Sequence, residues 1–204
     1  MKRMNPGYLS FLLLSITYIL VFFGWENQII QEVSRKTILV FMLVWSLFLF
    51  IDIPLFNTYV NLSYLIMLLT STYIYLSQKT RFISFHSLTF MIFFSTLYVL
   101  FQQLYFMDPM FIIYHPTVDA AIVLAMLTAV LVKSSLEQFA VITIGIILGD
   151  FILSYFTLYH LPTQLGTFEL YDIWMLTFII CRFISETVSK AYQTFKQYFI
   201  KIRS

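Results

Sequence analysis

Charged residues and cysteine are scarce in this sequence of 204 residues. Asp, Glu, Lys and Arg together make up 11% of the chain, whereas roughly 25% is usual in soluble domains. The formal net charge is only +2 and no basic cluster is interleaved with aromatics, so nothing indicates a nucleic-acid partner. Because Cys181 is the single cysteine, a disulfide framework and a CxxC metal site are excluded.

The motifs of common enzyme classes are also missing. There is no G-x-S-x-G, no P-loop and no Rossmann glycine set, so we expect no catalytic residues and no cofactor. Weak candidates for a divalent cation are His115, Asp119 and His160, which carry suitable imidazole and carboxylate groups. Pro116 interrupts the helical spacing of the first two, so hydrated polar residues at loop ends are the favoured interpretation and no metal is expected.

Long apolar runs dominate what is present. Apolar residues make up 60% of the chain, which a soluble fold would have to expose to water. A spanning helix needs about 20 mostly apolar residues, and seven runs approach that length. They are Tyr8–Gly24, Ile38–Phe56, Val60–Leu76, Phe82–Met107, Val118–Val132, Phe139–Tyr159 and Leu170–Lys190. The sequence predicts an all-α polytopic bundle in the lipid bilayer, with about seven spans and six as the alternative.

Basic residues are unevenly distributed among the connections between these runs. Lys and Arg follow the first, third, fifth and seventh runs, and none lies after the second, fourth or sixth. Under the positive-inside rule, this pattern predicts a multi-pass protein of the cytoplasmic membrane with its N-terminus outside and its C-terminus in the cytoplasm. Ten of the twelve basic residues are then cytoplasmic; Lys2 and Arg3, the exceptions, favour the opposite orientation of the first helix.

The C-terminal segment, residues 185–204, differs from the predicted bundle of residues 1–184. Its apolar side chains recur every three or four positions and so share one helical face, while Lys190, Lys196 and Lys201 add positive charge. Such a basic amphipathic helix, continuing the last span, can bind anionic lipid in the cytoplasmic headgroup layer. A specific protein partner is the alternative for the same helix.

One carboxylate interrupts the run IGIILGDFIL, residues 144–153. An ionised Asp150 at the centre of a spanning helix costs on the order of 2.5 to 3.5 kcal/mol, so its side chain should face protein or water. Gly145 and Gly149 form a G-x-x-x-G pattern, which lets another helix approach closely. That helix could belong to another membrane protein or to a second copy of this chain.

A basic partner for Asp150 is available in the seventh run. At about 1.5 Å of rise per residue, Asp150 and Arg182 lie at depths that differ by only around 5 Å. Glu186 follows Arg182 by one helical turn and could share it. We expect an Asp150–Arg182–Glu186 cluster that joins the last two helices. A structural role is the favoured interpretation, and a proton- or ion-coupling role for Asp150 is the alternative.

The stretch FMDPMFIIYHPTVDAAIVLAMLTAVLV, followed by GIILGDFIL, resembles the YphA-like membrane proteins of spore-forming Gram-positive bacteria. The resemblance covers the middle third of the chain and rests on the Asp108-Pro109 turn and the Gly149-Asp150 step. It implies a small multi-pass protein of the bacterial cytoplasmic membrane with a link to spore-envelope assembly. The preferred function is a non-catalytic scaffold or envelope assembly factor. A small transporter, or a substrate-binding transporter subunit that uses Asp150, is the alternative.

Overall fold

A computed structural model describes residues 5–31, 33–55, 58–77, 81–157 and 163–203 of the chain. Helices form most of this part: α1 (Tyr8–Phe22), α2 (Glu26–Ile29), α3 (Arg35–Phe48), α4 (Leu62–Ser77), α5 (Arg81–Met107), α6 (Pro116–Leu131), α7 (Ser135–Thr157) and α8 (Phe168–Arg203). A single 3-10 turn, Pro109–Phe111, separates α5 from α6 in the described residues. The prediction of a mainly helical fold is confirmed.

A small sheet departs from the all-α prediction. It contains β1 (Asp52–Leu55), β2 (Thr58–Asn61) and β3 (Thr163–Leu165), in the order β1-β2-β3. β1 and β2 pair antiparallel, and β2 pairs parallel with β3. The predicted second span, Ile38–Phe56, is therefore wrong beyond α3, because Pro54 and its neighbours pair as a strand instead of continuing the helix.

Two described helices are long and apolar enough to cross a bilayer by length and composition, over Phe85–Met107 and Ser135–Phe156. Three shorter helices are also apolar: Tyr8–Phe22, Leu62–Ser77 and Pro116–Leu131. The apolar runs in the sequence are longer than these helices because residues outside the helices, such as those of the sheet, are also apolar.

Local signals fix where several helices begin. Ser34 precedes α3, and its side chain accepts a hydrogen bond from the Thr37 backbone N–H, which satisfies one free donor of the first turn. Pro116 is the first residue of α6, where the missing N–H has no cost. The helix predicted from Val118 therefore begins two residues earlier, at the proline.

The helices pack around α7, which contacts α4, α5, α6 and α8. The tightest associations are α5 with α7 and α6 with α8. Aromatic rings fill the space between α3, α7 and α8, where Trp45 contacts Trp174 and Tyr171, and Phe139 contacts Trp174 and Phe178. The buried charged side chains, Asp150, Asp172 and Arg182, lie towards the two ends of the bundle.

The bundle has two chemically distinct ends. At the first, called here the sheet end, the sheet lies beside the beginning of α8, since the Tyr171 hydroxyl donates to Asn61 of β2. α1 begins at the same end, because Asp172 of α8 accepts from the backbone N–H of Gly7. At the second, called the Arg182 end, Arg182 contacts Gln28 and Gln138, near the ends of α2 and the beginning of α7. Each end carries one group of buried polar side chains.

Candidate functional site

The glycines of the G-x-x-x-G pattern lie against α5. A Cβ atom added to Gly145 would come within 2.8 Å of the Phe94 Cβ, and one added to Gly149 within 2.6 Å of the Tyr98 Cδ1. The backbone oxygen of Ser95 would be only 3.1 Å from the same added atom at Gly149. The close approach is thus made within the chain. The expected second copy or other membrane protein does not fit on this face, because α5 already covers it.

Asp150 is buried at the sheet end, with 9% of its surface exposed. Its Oδ2 accepts a hydrogen bond of 3.3 Å from the backbone N–H of Gly166, just after β3. Gly166 has a positive φ of 78°, and an added Cβ would lie 2.8 Å from the Tyr171 hydroxyl and 2.9 Å from the Tyr64 Cβ. Only glycine fits this turn, which brings a backbone donor down to the carboxylate.

A network of hydroxyl and amide groups continues from this turn. The Tyr171 hydroxyl donates to the Asn61 Oδ1 at 2.9 Å and also hydrogen bonds with the Ser63 hydroxyl. The Asn61 amide donates to the Leu49 carbonyl oxygen at 2.8 Å, and the Tyr64 hydroxyl donates to the Ile147 carbonyl oxygen at 2.8 Å. We call this group the Asp150 cluster: Asn61, Ser63, Tyr64, Asp150, Gly166 and Tyr171. It joins β2, α4, α7 and α8.

Arg182 lies at the opposite end and does not pair with Asp150. Its Nη2 is 2.8 Å from the Glu186 Oε1, as predicted for that pair. The Nε and Nη2 groups donate to the Gln28 carbonyl oxygen at 3.1 and 2.9 Å, and Nη1 donates to the Gln138 Oε1 at 3.1 Å. The guanidinium group therefore ties α2, α7 and α8 together.

Asp150 and Arg182 do not lie at similar depths, contrary to the prediction. The prediction placed the beginning of α8 at the outer membrane surface, whereas the turn at Gly166 starts this helix level with Asp150. Gln138, which contacts Arg182, precedes Asp150 by twelve positions on α7, and this spacing corresponds to about 18 Å along the helix. The Asp150–Arg182 part of the predicted cluster is therefore corrected to two separate sites.

The weak metal candidates are not gathered into a site within the described residues. The Asp119 carboxylate accepts hydrogen bonds from the backbone N–H groups of Ile113 and Tyr114, at 2.8 and 3.1 Å for Oδ2. It thereby stabilises the turn before α6. His160 lies outside the described residues. In the part of the chain that the structure describes, no group of three or more His, Cys, Asp or Glu residues could hold a metal ion.

Asp172 is a buried carboxylate whose role the sequence did not reveal. Only 5% of its surface is exposed. Its two oxygens accept the backbone N–H groups of Gly7, at 2.8 Å, and Ser10, at 2.6 Å. A carboxylate at a helix N-terminus satisfies free donors and interacts favourably with the helix dipole. Asp172 therefore fastens the beginning of α1 to α8.

The model of the YphA-like integral membrane protein family matches residues 6–204. The chain belongs to this family. The resemblance seen in the middle third of the sequence is thus confirmed, and it extends over nearly the whole chain. Association with the membrane follows from membership of this family. No curated protein and no solved structure matches the chain.

Proposed function

We propose that this protein is a non-catalytic assembly factor of the bacterial cell envelope, which holds a helical protein partner at the cytoplasmic face of the membrane. The observation that carries this proposal is the second half of α8. The helix runs unbroken from Phe168 to Arg203, about 54 Å at 1.5 Å per residue. That length exceeds the roughly 30 Å of the hydrocarbon core.

Alternation of the helices between the two ends of the bundle supports a seven-span arrangement. α1, α4 and α8 begin at the sheet end, while α5 and α7 begin together at the Arg182 end, where Ser87 hydrogen bonds with Glu137. The Gln31 backbone N–H also donates to the Ser135 hydroxyl at 2.9 Å, so the connection after α2 meets the beginning of α7. With the positive-inside rule, this arrangement favours a cytoplasmic Arg182 end and C-terminus and an external N-terminus.

The projecting part of α8 exposes an apolar stripe. Val188, Tyr192 and Phe195 are four and three positions apart, which places them on one face, and each exposes more than 60% of its surface. The same face of α8 carries Cys181 and Thr177, both fully buried inside the bundle. The stripe thus continues the face that packs against the bundle, but these three side chains lie beyond Glu186 and are exposed. A groove-binding or antiparallel helix of a partner fits such a stripe.

Anionic lipid is the competing occupant for this segment. A helix embedded in the headgroup layer lies parallel to the membrane plane. Because α8 continues from the bundle without a break, the segment is better suited to projecting into the cytoplasm, which favours a protein. The resemblance to proteins of spore-forming bacteria suggests spore-envelope assembly as the process.

Photo-crosslinking in living cells tests this proposal. A crosslinking amino acid at Tyr192 or Phe195 should yield a discrete protein adduct, and one at Gln193 or Gln197, on other faces of the same helix, should not. Val188→Lys should abolish the adduct from Tyr192 without lowering the amount of protein in the membrane. Adducts to lipid alone, or equal adducts from all four positions, would contradict a stripe-specific protein partner.

A second candidate function, transport coupled to protons or cations, is favoured by one specific observation. The Asp150 carboxylate accepts from a neutral backbone N–H, and no Lys or Arg side chain of the described residues forms a salt bridge with it. A buried carboxylate without a cationic partner is a candidate site for a proton or a monovalent cation. Proteoliposomes loaded with a pH-sensitive dye should then show a proton flux that Asp150→Asn abolishes. A flux no greater than that of protein-free vesicles would exclude this candidate.

A further inference from the structure

We propose that a lateral groove between α1, α2 and α8 binds one anionic phospholipid of the cytoplasmic leaflet. The groove encloses about 430 Å³. Its apolar walls are formed by Leu13, Ile16 and Leu20 of α1 and by Phe178, Ile179 and Phe183 of α8. We call it the α1–α8 groove. It is separate from the apolar stripe of the α8 projection, so this inference goes beyond the proposed function, but it rests on the same cytoplasmic placement of the Arg182 end.

The walls suit a hydrocarbon chain. Ile16 and Phe183 are partly exposed, at 43% and 73%, and Thr17 already donates its hydroxyl hydrogen to the Leu13 carbonyl oxygen. The groove therefore offers few free polar groups along most of its length. Within a bilayer, apolar walls gain dispersion contacts when an acyl chain fills the space between them.

The charged end of the groove suits an anionic headgroup. Arg182 and Glu186 form a salt bridge of 2.8 Å and so neutralise one another. Lys190 lines the groove one turn further along α8, and no salt bridge joins it to a carboxylate of the described residues. The charges of Arg182, Glu186 and Lys190 sum to +1, which attracts the phosphate of an anionic lipid. Trp25 lies at the same rim, half exposed, as aromatic residues do at the headgroup level.

The length of the groove matches the depth of one leaflet of a bilayer. From Phe178 to Lys190 there are twelve positions, or about 18 Å along α8. This length is close to half of a hydrocarbon core of roughly 30 Å, which is the depth of one leaflet.

Native mass spectrometry of the purified full chain tests the inference. The protein is equilibrated in mixed micelles with equal amounts of phosphatidylglycerol and phosphatidylcholine. We expect one retained phosphatidylglycerol, enriched about fivefold over phosphatidylcholine, as one well-placed Lys provides. Lys190→Gln should remove this enrichment while a lipid is still retained. Lys196→Gln, on the same helix but outside the groove, should leave the enrichment unchanged.

Filling the groove tests the acyl-chain contact independently of charge. Ile16→Trp should abolish lipid retention, whereas Ile19→Trp, on the exposed side of the same helix, should not. Leu20→Trp provides a second filling variant if Ile16→Trp does not fold. Retention that survives a folded groove-filling variant, or enrichment that survives Lys190→Gln, would overturn the inference. The crosslinks of Tyr192 and Phe195 should be the same in all of these variants, so a failure here is distinct from a failure of the proposed function.

Discussion

At the scale of the residue, buried polar side chains define the interior of this membrane protein. Asp150 binds a backbone N–H near the sheet end, Asp172 binds two at the beginning of α1, and Arg182 binds two oxygen acceptors and Glu186 at the other end. The sequence indicated that Asp150 and Arg182 had to be shielded from lipid, because charged groups in a span are costly there. It indicated Glu186 as a partner of Arg182. It could not indicate the Gly166 N–H or the Gln28 carbonyl oxygen, because these are backbone groups, which every sequence contains.

Because the Asp150 and Arg182 sites are separate, the losses in free energy of unfolding caused by mutating them should add. Asp150→Asn and Arg182→Gln should each lower the free energy of unfolding, measured by denaturant titration in detergent. The double variant should show the sum of the two losses within about 0.5 kcal/mol, because the two sites share no partner. Gln138, which contacts Arg182, lies about 18 Å from Asp150 along α7.

The matched control is a pair that does share a contact. Arg182→Gln combined with Gln138→Ala should deviate from additivity, since the Nη1 group of Arg182 donates to the Gln138 Oε1. A clear interaction energy between Asp150→Asn and Arg182→Gln would show that the two side chains meet after all.

At the scale of the element, the seam between α5 and α7 depends on residues without side chains. The G-x-x-x-G spacing predicted a close approach on the face of Gly145 and Gly149, and the geometry of both glycines agrees with it. The pattern specifies a face but not the helix that covers it, because many apolar helices present suitable surfaces. The identity of α5 as the neighbour, and its parallel direction, come from the tertiary arrangement.

Adding a side chain to a glycine at the contact between α5 and α7 should destabilise the protein. Gly149→Ala places a methyl group 2.6 Å from the Tyr98 ring and 3.1 Å from the Ser95 backbone oxygen, so a loss of about 1–3 kcal/mol is expected from overpacking. Thermal unfolding followed by circular dichroism in detergent measures this loss.

A second-site change checks the cause. Tyr98→Ala removes the ring that the new methyl group meets, so the cost of Gly149→Ala should be smaller in that background. Leu148→Ala, at a partly exposed neighbouring position, serves as the control and should not depend on Tyr98. An unchanged cost of Gly149→Ala after Tyr98→Ala would show that the ring is not the obstacle.

At the scale of the whole molecule, apolar composition predicted a mostly helical membrane protein correctly. Of the seven apolar runs proposed as spans, two contain described helices that are long and apolar enough to cross a membrane. Apolar composition did not predict the sheet, because the apolar residues of β1 and β2 resemble a continuation of a span. Nor did it predict the turn at Gly166, which folds the loop before α8 down to Asp150. Both features depend on segments distant in sequence coming together, and no local pattern specifies such a meeting.

The central claim concerns which end of the bundle faces the cytoplasm, because the proposed partner helix and lipid site both depend on it. Cysteine labelling of the full chain tests it most directly, in a Cys181→Ser background. A membrane-impermeant maleimide applied to intact cells should label Ile113→Cys. Lys133→Cys and Tyr192→Cys should react only after the membrane is permeabilised. Labelling of Lys133→Cys or Tyr192→Cys in intact cells, with Ile113→Cys protected, would contradict the claim.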